Sequence, residues 1–226
     1  SAVPAFGGLL VGPLIYFFAR EARGHGVPEV MKAVALRGGV IRGRLVAIKA
    51  LASSLSIGTG GSVGREGPIV QIGSAFGSSL GQMLRLNTAG IRTPVGCGAA
   101  AGISATFNAP IAGAIFAAEI IVGHFAVAQF PPLVISSVVA TVASRFFLGN
   151  YTAFKVPDYQ IVSPFELLPY LATGVVAGLV AVAFIRPLSY SEIAFERLRM
   201  PEYLKAAVGG ALVGVCLLYT SDAADE

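Results

Sequence analysis

The sequence is short of charge and of cysteine. Charged residues make up only 12% of its 226 residues, about half the share in a typical soluble domain, which argues against a soluble enzyme or binding protein. Its two cysteines, Cys97 and Cys216, form neither a disulfide framework nor a metal-ligand spacing. The sequence therefore predicts no metal site and no cofactor. The bases flank apolar stretches instead of forming one solvated face, so no nucleic-acid partner is expected.

The rest of the composition is apolar. Hydrophobic residues make up 55% of the chain, and the mean hydropathy is +0.76. Four stretches without Asp, Glu, Lys or Arg approach or exceed the roughly 20 residues that a helix needs to cross a bilayer; they are residues 1–19, 93–118, 120–144 and 167–185. Bases gather in residues 20–49, 85–92 and 186–205, which predicts that these segments face the cytoplasm. The sequence therefore predicts an integral membrane protein.

Glycine is abundant, with 28 residues. Much of it is spaced by four, as in Gly73 and Gly77 or Gly174 and Gly178, which predicts smooth faces for close helix packing in a membrane. Asn108 is expected to be the N-cap of a short helix that follows it. The pattern predicts an all-α fold with helices at residues 3–18, 28–36, 41–56, 68–84, 93–101, 109–119, 127–148, 164–198 and 202–218.

Two glycine-rich breaks in this pattern carry the predicted chemistry. Residues 24–30 read GHGVPEV and residues 58–70 read GTGGSVGREGPIV, and the proline in each suits the first turn of a helix. A helix N-terminus exposes unpaired N–H groups and roughly half a positive charge, so two such termini aimed at one point form an anion site. A nucleotide-binding loop would need Gly-Lys-Ser or Gly-Lys-Thr where this sequence has Gly64, Arg65 and Glu66.

Glu66 is an ionisable residue between long apolar segments. On a soluble surface, a carboxylate at a helix start is usually an electrostatic cap, but within a membrane an ionisable group marks a functional site by default. Its charge competes with an anion for the same N–H groups, and protonation would release it. Glu66 is therefore the candidate gate, and simple capping is the alternative.

Three motifs resemble those of the CLC chloride channel and transporter family. They are GHGVPEV at residues 24–30, GREGP at residues 64–68 and GCGAAAGISATFNAPIAGAIFAAE at residues 96–119. The resemblance implies a homodimeric, all-helical membrane protein that is not an enzyme, with one anion pore per subunit and two inverted halves of tilted and broken helices. It further implies that residues 1–218 form a partial transmembrane domain, and we expect residues 219–226 to be a non-native tail.

The same resemblance assigns roles to single residues. Glu66 would be the gating glutamate, and the anion path, with chloride as its ligand, would consist of Gly24, His25, Gly26, Gly64, Arg65, Glu66 and Gly67. The family commonly has serine where His25 stands. An imidazole N–H can also donate to an anion, and a protonated ring would make conduction pH-sensitive; a neutral ring bonded to a nearby carbonyl is the alternative.

A second departure concerns proton coupling. The family's proton-coupled exchangers carry two consecutive glutamates, of which the second relays protons, where this sequence has Glu119 and Ile120. Isoleucine carries no proton, so we expect a voltage-gated chloride channel, with a proton-coupled antiporter as the alternative. Glu119 is either a structural acid or a proton relay.

A membrane subunit without its own pore is a third hypothesis, because the family's third filter motif is missing. A bacterial inner membrane is the expected location.

Overall fold

The structure is a computed structural model that describes residues 2–22, 24–123, 128–150 and 163–222. These residues contain helices and turns and no strand, which confirms the predicted all-α class. The helices are α1 (Val3–Phe18), α2 (Val27–Arg37), α3 (Arg44–Gly58), α4 (Glu66–Met83), α5 (Thr88–Phe107), α6 (Pro110–Phe116), α7 (Phe130–Leu148), α8 (Leu167–Arg197) and α9 (Glu202–Asp222). A π-helical segment (Ala117–Val122) continues α6. The predicted start of α7 at residue 127 and the last part of the predicted tail, residues 223–226, lie outside the described residues.

The chain divides into two compact units. One contains α1 to α7 and α9, and the other, residues 154–201, contains α8. Among the described helices, α7, α8 and α9 are long and apolar enough to cross a membrane. On α7 the large side chains of Ile135 and Phe146 are 64% and 82% exposed, as expected for a surface that meets lipid or other membrane helices. The predicted membrane class is confirmed.

Glycine lets α4 and α5 approach each other closely. A Cβ on Gly73 would overlap the carbonyl of Gly98, and a Cβ on Gly98 would overlap that of Gly73. One turn further, Gly77 lies against the α5 backbone in the same way. The predicted small-residue packing is therefore confirmed for this helix pair. On α8, a Cβ on Gly174 or Gly178 would meet no described atom within 4 Å.

Side-chain hydrogen bonds hold the region around α2 against α4. The buried Ser78 hydroxyl of α4 accepts from the Ile41 N–H at 2.9 Å and donates to the Gly39 carbonyl at 2.7 Å. At the other end of α2, Gln71 Nε2 donates to the Glu21 carbonyl at 3.1 Å. Because both ends are tied to the same helix, the placement of the α2 N-terminus relative to α4 is determined.

The start of α5 differs from the prediction. The helix begins at Thr88 and not at residue 93, because Asn87 acts as its N-cap and accepts from the Gly90 N–H at 2.7 Å. Pro94 therefore lies inside the helix, whereas the sequence prediction placed it in the first turn.

Asn108 has a different role from the predicted one. It ends α5 in a left-handed conformation, with φ 57°, and the N-cap of α6 is Ala109. Its amide nitrogen donates to Asn150 Oδ1 at 2.9 Å, and its Oδ1 accepts from Arg145 Nε at 2.6 Å. The side chain thus connects the end of α5 to the end of α7 by hydrogen bonds.

Candidate functional site

The helices α2 and α4 begin at the same point. A Cβ on Gly67, in the first turn of α4, would overlap the carbonyl oxygen of His25, and a Cβ on Gly26, directly before α2, would overlap the carbonyl of Gly67. Glycine at both positions permits this contact between the two backbones. Each helix start has N–H groups without an intrahelical partner and carries roughly half a positive charge. The fold thus brings two positive helix ends together.

The loop that leads into α2 has an unusual backbone. Gly24 has φ 103° and Gly26 has φ 101°, conformations that glycine adopts far more easily than other residues. Glu29 supports both: its Oε2 accepts from the Gly26 N–H at 2.6 Å, and its carboxylate packs against Gly24. The spacing is that of a capping box, so Glu29 occupies one N–H group at the start of α2.

A cavity of about 450 Å³ opens where the two helices meet. The ionisable side chains among its lining residues are His25, Lys49 and Glu66, and most of the others are apolar. A largely apolar cavity with a few convergent polar groups is the usual form of a binding site. The lining consists of Val11, Ile15, Ala22, Gly24, His25, Val27, Lys49, Ala52, Ser53, Ser56, Ile57, Val63, Gly64, Glu66, Gly67 and Pro68.

Glu66, the predicted gate, is the first residue of α4 and lines this cavity. The residue is exposed, and Oε2 folds back against Gly64. The carboxylate therefore lies over the N-terminus of its own helix, where its negative charge is favourable. An anion that binds at this helix end must displace the carboxylate or share the N–H groups with it.

Lys49 is a site residue that sequence reasoning missed. Its side chain is only 5% exposed, and Nζ donates to the carbonyls of Ala22 at 2.7 Å and Gly24 at 3.1 Å. The sequence prediction grouped it with the cytoplasmic bases of residues 20–49, because the charge pattern alone does not say where a side chain points. Its position inside an otherwise uncharged stretch of α3 was the available signal, since an ionisable residue there is functional by default.

Most of the other predicted residues of the anion path line one of two cavities, and Gly26 lines neither. His25 is exposed and lines the cavity beside Glu66, as do Gly24 and Gly64. Arg65 directly precedes α4 and is exposed, but it lines a neighbouring cavity of about 420 Å³ bordered by α3 and α4. Arg65 is therefore absent from the lining that Glu66 and His25 share.

Glu119 lies in a different part of the unit. It is exposed, belongs to the π-helical segment after α6 and does not line the Glu66 cavity. Its neighbour Ile120 is half-buried and packs against the apolar core. Short π-helical segments are rare and are frequent at functional sites. Among the described residues, no group of His, Cys, Asp and Glu is arranged to hold a metal ion.

Known proteins are similar to this sequence over almost its whole length. The family described as "Voltage gated chloride channel" matches residues 7–225. A "Putative chloride channel protein ClcB-like" of Ralstonia nicotianae is 38% identical over 216 residues, which cover 94% of this chain and 50% of that protein.

Two solved structures share the fold. A slow cyanobacterial Cl-/H+ antiporter superposes with a TM-score of 0.81 at 24% identity, covering 93% of this chain and 51% of the other. A CLC-type fluoride/proton antiporter superposes with a TM-score of 0.82 at 24% identity, covering 95% of this chain and 54% of the other. The chain thus spans about half the length of the proteins that it matches. By fold and by sequence, the chain belongs to the voltage gated chloride channel family, or CLC family.

Proposed function

We propose that the complete protein that contains this chain conducts chloride across a membrane as a gated channel. The observation that carries the proposal is the meeting of the α2 and α4 N-termini at Gly26 and Gly67, beside a cavity. Partial positive charges and N–H groups at helix ends attract an anion. Because none of them is a full charge, the anion can also leave, as conduction requires.

The full positive charge at this cavity supports the same proposal. Two of the three hydrogen-bond donors of the Lys49 ammonium are taken by the carbonyls of Ala22 and Gly24. The ammonium adds a favourable field for an anion, while its own hydrogen bonds remain with the protein backbone. The result is attraction without the tight ion pair that a free lysine would form.

Glu66 is the proposed gate. Its carboxylate lies at the N-terminus that the anion needs, so the charged form blocks the path and protonation removes the competing charge. The titratable groups that line the cavity with it are His25 and Lys49. In this proposal, acidification opens the path through Glu66, and a protonated His25 adds attraction for the anion in the same direction.

Ile120 supports a channel over an exchanger, because an apolar side chain packed on the core offers no proton-transfer group at that position. The second candidate function is a chloride/proton antiporter, since the two superposed structures are described as antiporters. In that case, Glu119 is the proton relay and works without its acidic neighbour.

The proposed assembly is a homodimer in a bacterial inner membrane. The outward faces of α6 and α7 are apolar, with Ile111 76% exposed and Val139 61% exposed, so they are suited to packing against lipid or another subunit. Cysteine cross-linking across α7 in isolated inner membranes tests both parts, since a second subunit there gives a covalent dimer.

Chloride efflux from liposomes tests the transport function. The complete protein is reconstituted, a chloride gradient is applied, and a chloride electrode and a pH electrode record both ions. Efflux without stoichiometric proton movement is the expected result. Uphill proton movement driven by chloride would establish the antiporter, and the absence of protein-dependent efflux would refute both.

A further inference from the structure

We propose that Glu29 and Lys49 act as a charge-compensated pair that sets the chloride affinity of the site. The pair holds the inner loop, defined here as residues 22 and 24–26, directly behind the α2 N-terminus. This inference rests on the proposed function, because it concerns the anion that the site binds. Neither residue belongs to the GREGP motif that contains the gate, and neither lies on the same helix as Glu66.

The two side chains hold the inner loop by groups of opposite polarity. Lys49 donates to the carbonyls of Ala22 and Gly24, and Glu29 accepts from the N–H of Gly26. Gly24 is in contact with both, since its carbonyl meets the ammonium and its Cα packs against the Glu29 carboxylate. With φ 103° and 101°, Gly24 and Gly26 adopt conformations that glycine tolerates and other residues rarely adopt, and the two side chains hold the loop in this shape.

The charges also compensate each other. Lys49 is buried, and both its ammonium and the Glu29 carboxylate contact Gly24. A buried charge without a partner is strongly unfavourable, so the nearby carboxylate of the half-buried Glu29 helps to stabilise the buried Lys49 ammonium. Together they leave the loop with little net charge, and the helix ends then determine the attraction for the anion.

Opposite effects on chloride follow from this arrangement. The Glu29 carboxylate repels an anion at the α2 N-terminus and takes up one N–H group there, whereas the Lys49 ammonium attracts the anion. Removal of the negative charge therefore tightens chloride binding, and removal of the positive charge weakens it. A pair with a purely structural role would weaken binding in both cases, because the loop would lose its shape.

Three variants of the complete protein separate these possibilities: Glu29→Gln, Lys49→Met and the double variant. Glutamine retains an acceptor for the Gly26 N–H and loses the charge; methionine retains most of the side-chain volume and loses the charge and the donors. Chloride dissociation constants are measured by isothermal titration in detergent, together with thermal stability. Glu21→Gln is the matched control, because that carboxylate forms a partly exposed ion pair with Arg42 at 3.2 Å.

The expected changes are of the size that one unit charge produces at an effective protein dielectric constant near 20. We expect the dissociation constant of chloride to fall about tenfold in Glu29→Gln and to rise about tenfold in Lys49→Met. The double variant is expected to lie within about threefold of the parent, and Glu21→Gln within about twofold, since exposed charges are screened.

Weaker binding in Glu29→Gln, or an unchanged dissociation constant, would overturn the proposal. If Lys49→Met does not fold, the sign of the Glu29→Gln effect still tests it. A double variant that is weaker than both single variants also refutes it, because the charges then do not compensate. If the parent protein itself binds and transports no chloride, the proposed function fails, and that outcome is distinguishable from all of these.

Discussion

Two places where helices begin or end have opposite characters: the first break, where α2 and α4 begin, and the second break, between α5 and α6. Where α2 and α4 begin, two helix ends meet beside a cavity, and a carboxylate, an imidazole and an ammonium line it. Where α5 ends and α6 begins, Asn108 fills the break and is bonded to Asn150 and Arg145. Both breaks place a proline in the first turn of the helix that follows, Pro28 in α2 and Pro110 in α6. A break becomes a site only when its polar backbone groups stay available to a cavity.

The electrostatics of the two breaks also differ. In the proposed function, the positive helix ends at the starts of α2 and α4 attract an anion, and Glu66 competes with that anion for them. The junction of α5 with α6 pairs a helix C-terminal residue with the cationic Arg145, and the positive charge suits a negative helix end. In that proposal the first arrangement exchanges with an ion, whereas the second is closed by the hydrogen bonds of Asn108.

The largest effect is expected from a variant that separates the two helix ends at the first break. Gly67→Ala introduces a Cβ that overlaps the His25 carbonyl, so the two N-termini must separate. We expect protein-dependent chloride efflux to fall by about tenfold or more, with a loss of about 1–3 kcal/mol of stability, as for other overpacked sites. Gly174→Ala is the control, because a Cβ there meets no described atom. Unchanged efflux in Gly67→Ala would show that the helix ends do not form the path.

Neutralising the proposed gate, Glu66, should have the next largest effect. Glu66→Gln keeps the size of the side chain and removes the charge that competes for the N–H groups. We expect efflux near neutral pH to rise by about tenfold, as for the loss of one unit charge at short range, and the effect of acidification to shrink. The liposome assay between acidic and neutral pH measures both. Retention of the parental pH response in Glu66→Gln would identify a different gate.

His25 supplies a smaller effect that becomes measurable once the gate is neutral. Histidine changes its charge between about pH 5 and 8, so any response that remains in Glu66→Gln is expected to come from the imidazole that lines the same cavity. The double variant Glu66→Gln with His25→Ser should therefore show efflux that varies less than about twofold over this range, because serine keeps a donor without a charge. A response equal to that of Glu66→Gln alone would assign His25 to a neutral role.

The smallest effect is expected at the second break. Asn108→Ala removes hydrogen bonds to two partners and puts alanine into a left-handed conformation, which costs about 1–2 kcal/mol of stability. Asn108→Gly relieves the backbone part of that cost, so it should be the more stable of the two. Thermal unfolding in detergent measures the difference, and the chloride dissociation constant is expected to stay the same. A change in chloride affinity would contradict the view that this break is only structural.

Much of the fold follows from local pattern. The predicted helix at residues 3–18 coincides with α1, and most other predicted helices match within a few residues, because glycine, proline and apolar runs act locally on the backbone. The predicted start of α5, at residue 93, was wrong. Proline is common in a first helical turn, but in this chain Asn87 caps the helix earlier and Pro94 lies inside it. Proline is favoured in a first turn and disfavoured inside a helix, so the cap at Asn87 outweighs the local preference of Pro94.

The candidate site was only partly predictable. The order of glycine, Glu66 and proline indicated a helix start with a carboxylate on it. The rule that an ionisable residue among membrane segments is functional by default singled out Glu66. Lys49 and Glu29 were missed, because their roles depend on where the loop before α2 passes. Lys49 reaches the carbonyl of Ala22, far from it in sequence, and no local pattern records that contact.

The amino-acid sequence by itself determined the membrane environment, the all-helical class and the positions of the breaks, since apolar composition and the backbone preferences of glycine and proline operate over a few residues. The tertiary structure alone decided which breaks meet, which side chains share a cavity and which charges compensate each other. Those properties depend on distances between segments such as α2, α3 and α4, and close packing through glycine sets these distances.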